Sequence, residues 1–269
     1  MSGLPAYRTE VQLIGHFCRP LLVRFHRMDQ RYLAALPADA QVLVGQIETL
    51  IGSEIVVRPQ KEGDPTPVPE GDLAVCDCFM NNGVTTVTIT FPGEEISRHV
   101  LIHEVLHAHR NVVGKVQRLV AAVNEEIAIR FATRIENDIE HLSIIPLEIS
   151  SAPEALNYWE SHYDRRLAEI LDSKEHPLIL RDNLLRNYLV ASSVIPQWSG
   201  LVQVRSSLAA NGWLGDAEKL VEKIARVRSS KVQCLSALLR FLGLDLQRYC
   251  LSQFLVSERR CPSSRLPAH

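Results

Sequence analysis

Apolar residues recur at three- and four-residue steps through the first fifty positions of this chain, a period typical of helices. The pattern predicts one helix over residues 7–35 and a second over residues 40–52. Pro20 lies inside the first of these segments, where a proline predicts a break or a kink. Gly52 follows the second segment and is a typical helix terminator. Two helical segments are therefore expected before any strand.

A different pattern follows, in which short β-type runs are separated by turn-forming residues. These runs predict three strands, over residues 54–59, 73–80 and 85–91. Residues 60–72, QKEGDPTPVPEGD, are rich in proline, glycine and acid, and they predict a loop. Asn82 and Gly83 lie between the last two runs, and Asn-Gly between strands is a strong hairpin signal. A small sheet is therefore expected next.

The following apolar segment carries the one pattern in which spacing and residue type together specify a chemistry. Residues 91–113, FPGEEISRHVLIHEVLHAHRNVV, contain an HExxH pattern formed by His103, Glu104 and His107. Imidazoles four positions apart lie on one face of a helix and can bind one metal ion, and the Glu can take a proton from the metal-bound water. The alternative is a helix with surface histidines. The apolar residues on nearly every side of this helix favour burial instead, and buried imidazoles need partners.

A catalytic zinc usually has three protein ligands and a water molecule, so a third donor is required. The next apolar stripe predicts a helix over residues 115–142, ended by Pro146. On that helix Glu125 would lie among small apolar residues, where a carboxylate needs a cation. Glu126 precedes Arg130 by four positions, which is typical of an exposed ion pair. Glu125 is therefore the predicted third ligand. The other candidates that stay open are Glu126, His109, Asp138 and His141.

The second half of the chain reads as helical throughout. Helices are predicted over residues 153–171, 178–195, 200–210, 216–228 and 231–255. The predicted fold class is α+β, with a zincin-like catalytic domain over residues 1–148 in which a small sheet packs on the HExxH helix and the Glu helix. A helical domain or subdomain over residues 149–256 and a flexible tail over residues 257–269 complete the prediction.

Composition narrows the expected partners and location. The chain has 269 residues and a formal net charge of −2, which provides no basic footprint for a nucleic acid. The longest uncharged stretch, residues 187–204, contains Pro196 and Gln197 and is a poor membrane span. No secretory apolar region begins the chain. A cytoplasmic location is therefore expected, with a protein or peptide as the partner.

Six cysteines are scattered along the chain without the spacing of a disulfide framework. Cys76 and Cys78 alternate with Asp77 in a predicted strand. The favoured interpretation is that they are ordinary strand cysteines, and the alternative is a CxC metal pair.

The HExxH pattern followed by a downstream Glu resembles the gluzincin group of zinc metallopeptidases. Asn124-Glu125 is similar to the Asn-Glu that carries the third ligand in thermolysin and in the aminopeptidases of that group. Residues 125–132 also resemble the ExxA-x-RFA stretch of the heat-shock and prenyl-protein proteases and of the repressor-cleaving metallopeptidases of bacterial mobile elements. The chain departs from those two relatives at Ile129, where they commonly have an Asp or Asn that supports a metal-bound histidine.

The resemblance covers roughly residues 84–135. The Gly-x-x-His continuation of metzincins is absent, since Arg110 and Val113 occupy those positions. The resemblance implies a zinc-dependent metallopeptidase with Glu125 as the third zinc ligand beside His103 and His107. Glu104 would be the general base, and a narrow or regulated specificity is expected. The alternative is a zincin-like binding or regulatory module whose helical C-terminal half docks a protein partner.

Further polar residues near the predicted site have weaker assignments. Tyr158, His162 and Tyr163 are candidates for stabilising the oxyanion, although ordinary partly buried side chains are the favoured interpretation. His109 is expected to lie off the metal face, because it is only two positions past His107. His99 lies one turn before His103 on the same face; it is interpreted as a surface histidine, and a place at the rim of the cleft is the alternative.

Overall fold

The fold is a mixed α+β arrangement in which helices predominate. The computed structural model describes residues 28–64, 68, 73–81, 83–174, 176–252, 255–256 and 264–265. Its helices are α1 (Gln30–Ala35), α2 (Ala38–Ile51), α3 (Arg98–Val112), α4 (Glu126–Ser151), α5 (Ala155–Asp172), α6 (Pro177–Val194), α7 (Leu201–Ala210), α8 (Leu214–Val227) and α9 (Lys231–Phe241). Its strands are β1 (Val56–Pro59), β2 (Val75–Asn81), β3 (Val84–Phe91), β4 (Arg118–Ala121), β5 (Tyr249–Ser252), β6 (Leu255–Val256) and β7 (Ser264–Arg265).

The N-terminal elements match the predicted ones at most of the described residues. The first predicted helix is wrong at residues 28 and 29, because α1 begins only at Gln30, with Asp29 as its N-cap. The α2 helix ends at Gly52, whose φ of 71° is the left-handed conformation that favours glycine. β2 and β3 form the predicted antiparallel hairpin, with Asn81 paired to Val84, and β1 runs parallel to β3. The predicted break at Pro20 and most of the predicted tail over residues 257–269 lie outside the described residues.

The α3 helix packs between the sheet and its helical neighbours, in contact with β2, α2 and α4. Its apolar residues Leu101, Ile102 and Val105 are fully buried, which confirms the burial expected from the sequence. A helix surrounded on several sides has no purely solvent-facing surface. Its polar residues must therefore find partners within the protein.

The helix predicted over residues 115–142 is wrong in its first part. Residues 118–121 form β4, which pairs with β5 in antiparallel register, so that Leu119 lies opposite Leu251. The partner strand is far along the sequence, and a local period cannot reveal it. α4 begins only at Glu126.

Pro146 does not end α4, which continues to Ser151. A proline inside a helix removes the N–H that would bond to the carbonyl four residues earlier. That carbonyl belongs to the buried Leu142, and it accepts a hydrogen bond of 2.6 Å from the guanidinium of Arg228. A distant arginine therefore satisfies the carbonyl that the proline leaves without its helical partner.

The C-terminal half is helical up to residue 241, close to prediction. α5, α6, α7 and α8 match the expected segments within a few residues. The last predicted helix is wrong beyond Phe241, because the chain turns at Gly243, with a φ of 71°, and then enters β5. Cys250 on β5 is disulfide-bonded, which the spacing of the cysteines did not predict.

The described residues form two hydrophobic cores, and α4 contributes to both of them. The sheet, α2 and α3 enclose one core, to which α4 adds Ile144. The C-terminal helices enclose the other core, to which α4 adds Ile139 and Ile145. The boundary expected after residue 148 falls within this shared helix and stays a prediction. None of the helices in the described part of the chain has the length and apolar character that crossing a membrane requires.

Candidate metal centre

Three imidazoles from two helices converge beneath the sheet. His103 and His107 lie one turn apart on α3, and His141 reaches them from α4. Their metal-binding atoms all lie within 4.8 Å of one another, and the Nε2 atoms of His103 and His107 are 3.1 Å apart. Tetrahedral zinc with Zn–N bonds of about 2.0–2.1 Å would place two nitrogens about 3.4 Å apart. The cluster could therefore hold a metal ion.

The predicted third ligand, Glu125, is not part of this cluster. Glu125 caps the start of α4 with an extended backbone, and its exposed carboxylate pairs with Arg248. Glu126, the first residue of α4, lies about 22 Å along the helix axis from His141. The prediction failed because residues before 126 are not helical, so the small apolar face assigned to Glu125 does not exist. His141, one of the alternatives left open, stands in its place.

A buried carboxylate behind the histidines holds one of them in position. Glu148 is fully buried, and its Oε2 accepts hydrogen bonds from His103 Nδ1 at 2.8 Å and from Trp159 Nε1 at 2.9 Å. Its Oε1 lies 3.1 Å from the Nδ1 of His99. When Nδ1 of a histidine donates to a carboxylate, Nε2 keeps its lone pair and faces the metal position. Glu148 therefore supplies the support that Ile129, an exposed residue of α4, does not.

The protonation states of two of the three histidines suit metal binding. Burial, together with the neighbouring histidines, holds the pKa values of His107 and His141 well below the ordinary value, so both imidazoles are neutral near pH 7. Burial also acts to lower the pKa of His103, but the hydrogen bond to Glu148 and the nearby carboxylates of Glu104 and Glu140 together outweigh it and raise the pKa, so a metal ion would have to displace a proton there. For Glu148, burial opposes the charged form, yet the hydrogen bonds from His103 and His99 lower its pKa to about 2.

The cluster opens into a cavity of about 360 Å³ that also contains the predicted base. Glu104 is buried, with 7 % of its surface exposed, and lines this cavity beside the two α3 histidines. The cavity is lined by the first residues of β2 and by residues of α3, α4 and α5. The cavity therefore brings together the HExxH residues of α3 and the third imidazole, which comes from α4.

The remaining candidates fall into different surroundings. Tyr158 and His162 line the cavity from α5, and burial lowers the pKa of His162 to about 4, so it is a neutral donor near pH 7. Tyr163 is fully buried in the helical core, where burial raises its pKa. The surface interpretation of His99 is wrong, since it lines the cavity and contacts Glu148.

Three of the alternatives for the third ligand have other partners. His109 points away from the cluster and contacts the Gln46 side chain at 2.7 Å, as expected from its spacing. Asp138 is buried, and Arg186 donates a hydrogen bond of 2.5 Å to it. Glu126 forms the expected exposed pair with Arg130.

Sequence reasoning missed Glu148 altogether, although a signal for it exists. His141 and Glu148 are seven positions apart, which places them on the same face of one continuous helix. A helix that ends at Pro146, as the sequence predicts, does not contain Glu148, and the relation is then hidden.

Comparison of the chain with protein-family models, with curated proteins and with solved structures finds no match. The resemblance to gluzincins, suggested by the sequence motifs, stays a prediction. The case for a metal centre rests on the geometry of the described residues.

Proposed function

We propose that this protein is a zinc-dependent hydrolase of peptide bonds, with a zincin-like catalytic centre in which His103, His107 and His141 hold the metal. One observation carries the proposal. Three imidazoles and the carboxylate of Glu104 meet at a single cavity, in an arrangement that a structural helix does not need. The metal ligands differ from those of the gluzincin pattern only in the third position.

The donor set favours zinc over the hard divalent cations. Neutral imidazole nitrogens suit zinc and its transition-metal neighbours, whereas magnesium and calcium prefer carboxylate, carbonyl and water oxygens. Three protein ligands would leave a fourth position for water or substrate, as in catalytic zinc sites. The hydrogen bond from His103 to Glu148 supports this assignment, because histidines that bind metals generally donate their other nitrogen to such an acceptor.

The chain's own residues supply the remaining steps. A zinc ion bound here would bring the pKa of water towards neutrality and polarise the carbonyl of the scissile bond. The Glu104 carboxylate takes the proton of the attacking water and transfers it to the nitrogen of the leaving amine. Tyr158 and neutral His162, on the α5 wall, are donors available to the carbonyl oxygen as its negative charge develops.

The dimensions of the cavity bear on the substrate range. A volume of about 360 Å³ is near the lower end of ligand pockets, for which roughly 300–1,000 Å³ is usual. β2, α4 and α5 supply parts of its walls. The small volume favours a narrow set of peptide substrates over broad digestion of proteins.

Metal analysis of purified variants tests the ligand assignment. We expect the wild type and Glu125→Ala to bind equal amounts of zinc, and His141→Ala to bind about one zinc per chain less. His109→Ala serves as the matched histidine control and should retain the metal. Zinc lost in Glu125→Ala but kept in His141→Ala would contradict the proposed centre.

Hydrolysis is tested separately with a peptide library and the Glu104→Gln variant. Loss of the base should reduce kcat by a factor of about 10²–10⁴. The zinc content should not change, because the variant keeps all three ligands. Hydrolysis that persists in Glu104→Gln would refute the assigned base. Zinc binding with no cleavage of any peptide by the wild type would remove the peptidase proposal and leave the metal centre.

A further inference from the structure

Two thiols stand side by side in the wall of the cavity, apart from the histidine cluster. Cys76 and Cys78 are free, are 8 % and 2 % exposed, and both line the cavity. Alternate residues of a strand project from the same face, so the two side chains share one side of β2. Both residues also border the cavity, so the strand brings the two thiols to one part of its wall. The CxC pattern of the sequence is thus a true pair of neighbouring sulfurs.

Charged groups from three elements face this pair. The carboxylate of Glu104 on α3 acts electrostatically on both thiols, and that of Asp77 on β2 acts on Cys78. The guanidinium of Arg118 on β4 acts on both with the opposite sign. Glu104 also lines the cavity, whereas Asp77 lies between the two cysteines and projects from the opposite face of β2. The two sulfurs are the ligands that suit a soft divalent cation.

The backbone favours metal chelation over a disulfide between the two cysteines. Cα atoms two positions apart on an extended strand are about 6.7 Å apart, near the upper limit for a disulfide. β2 cannot contract easily there, because Cys76 is paired with Ile89 and Cys78 with Val87 on β3. Two thiolates that each bind one ion at about 2.3 Å need to be only about 3.8 Å apart. Two thiols on one face of a strand can reach that separation by side-chain rotations, without a change in the backbone.

We propose that Cys76 and Cys78 form a binding site for a thiophilic divalent metal ion, separate from the three histidines but inside the same cavity. On binding, each S–H releases its proton to solvent, and the ion is held by two thiolates with no change of oxidation state. Glu104 lines the same cavity, so an ion bound to the two thiolates takes up part of the space available to a substrate. The site does not depend on the histidine centre or on peptidase activity.

Cadmium is a suitable probe because it binds thiolates strongly and gives a thiolate-to-metal absorption band in the ultraviolet. The full-length chain with His103→Ala and His107→Ala is titrated with Cd²⁺ while alkylation of each cysteine is followed by mass spectrometry of its peptides. One equivalent of Cd²⁺ should slow alkylation of Cys76 and Cys78 at least tenfold. Cys234 is the internal control, since it is free and buried in the other core, with its thiol bonded to the Val227 carbonyl.

The outcomes separate this site from the histidine centre. Protection of both cysteines in the His103→Ala/His107→Ala chain, with the absorption band lost in Cys78→Ser and kept in Cys234→Ser, supports the proposal. Equal alkylation rates with and without Cd²⁺ would overturn it, as would a band that persists in Cys78→Ser. Failure of Cys76 and Cys78 to react at all without Cd²⁺ would also overturn it, because the sulfurs would then be closed to the cavity. The alkylation measurement needs no cysteine variant, so a Cys78→Ser chain that fails to fold leaves the test intact.

Discussion

Replacing Glu148 by Gln tests whether a buried carboxylate positions His103 for the metal. Glu148 accepts hydrogen bonds from His103 and Trp159 on one oxygen and contacts His99 with the other. A glutamine carbonyl oxygen can take over the first two bonds, but it is neutral and weaker as an acceptor, and its NH₂ group cannot accept from His99. Loss of such a partner usually lowers metal affinity about 10- to 100-fold, equivalent to roughly 1.4–2.8 kcal/mol.

The assay is competition for zinc between the protein and a chelator of known affinity, at pH 7. We expect the dissociation constant of Glu148→Gln to rise at least tenfold, and that of Glu148→Ala to rise further because its donors lose their acceptor. Glu126→Gln, an exposed carboxylate of the same helix, is the control and should bind zinc like the wild type. A Glu148→Gln affinity within twofold of the wild type would refute the positioning role.

The lowered pKa of Glu148 also predicts how the stability of the metal-free protein changes with pH. Its pKa is about 2 in the folded state against an ordinary value of 4.5, so the unfolded chain binds the proton first as the pH falls. The resulting stabilisation is present above pH 4.5 and is lost between about pH 4.5 and 2, with a size of about 3 kcal/mol. In urea unfolding, the stability difference between wild type and Glu148→Gln should narrow across that window. A constant difference would contradict the assignment.

Two further predictions concern the framework around the site. Arg228→Met leaves the buried Leu142 carbonyl without its donor and should lower the free energy of unfolding, measured by urea denaturation, by about 1–3 kcal/mol. The control is Arg226→Met on the exposed surface, which should change the same free energy by less than about 0.5 kcal/mol. Lys231→Met removes the cation that pairs with the buried Glu136 and should lower the free energy of unfolding by about 3–5 kcal/mol in the same assay. A decrease below about 1 kcal/mol would show that the buried carboxylate finds another partner or becomes protonated at little cost.

The elements that could be predicted are those whose geometry is local. An HExxH pattern places His103 and His107 on one helical face whatever surrounds them, because the period of the helix fixes their separation. The hairpin at Gly83 and the end of α2 at Gly52 follow from backbone conformations that few other residues adopt readily. The burial of α3 was equally visible, since apolar residues on nearly every side leave no face for solvent.

Long-range pairing limited what the local pattern could predict. Leu119 lies in a strand because Leu251, on a distant segment, is opposite it, and this pairing moves the start of α4 past Glu125. The helical period read through this region was therefore misleading, and the carboxylate chosen from it lies on the surface.

The sequence by itself determined that one helix offers two imidazoles and a carboxylate to a metal, because those three positions need only a single turn of backbone. Only the tertiary structure decided the third donor and its support. His141 and Glu148 reach His103 because α4 crosses α3 at that point and continues through Pro146, with the help of a hydrogen bond from Arg228. Which faces of two helices meet depends on packing across the whole chain, and no local period contains that information.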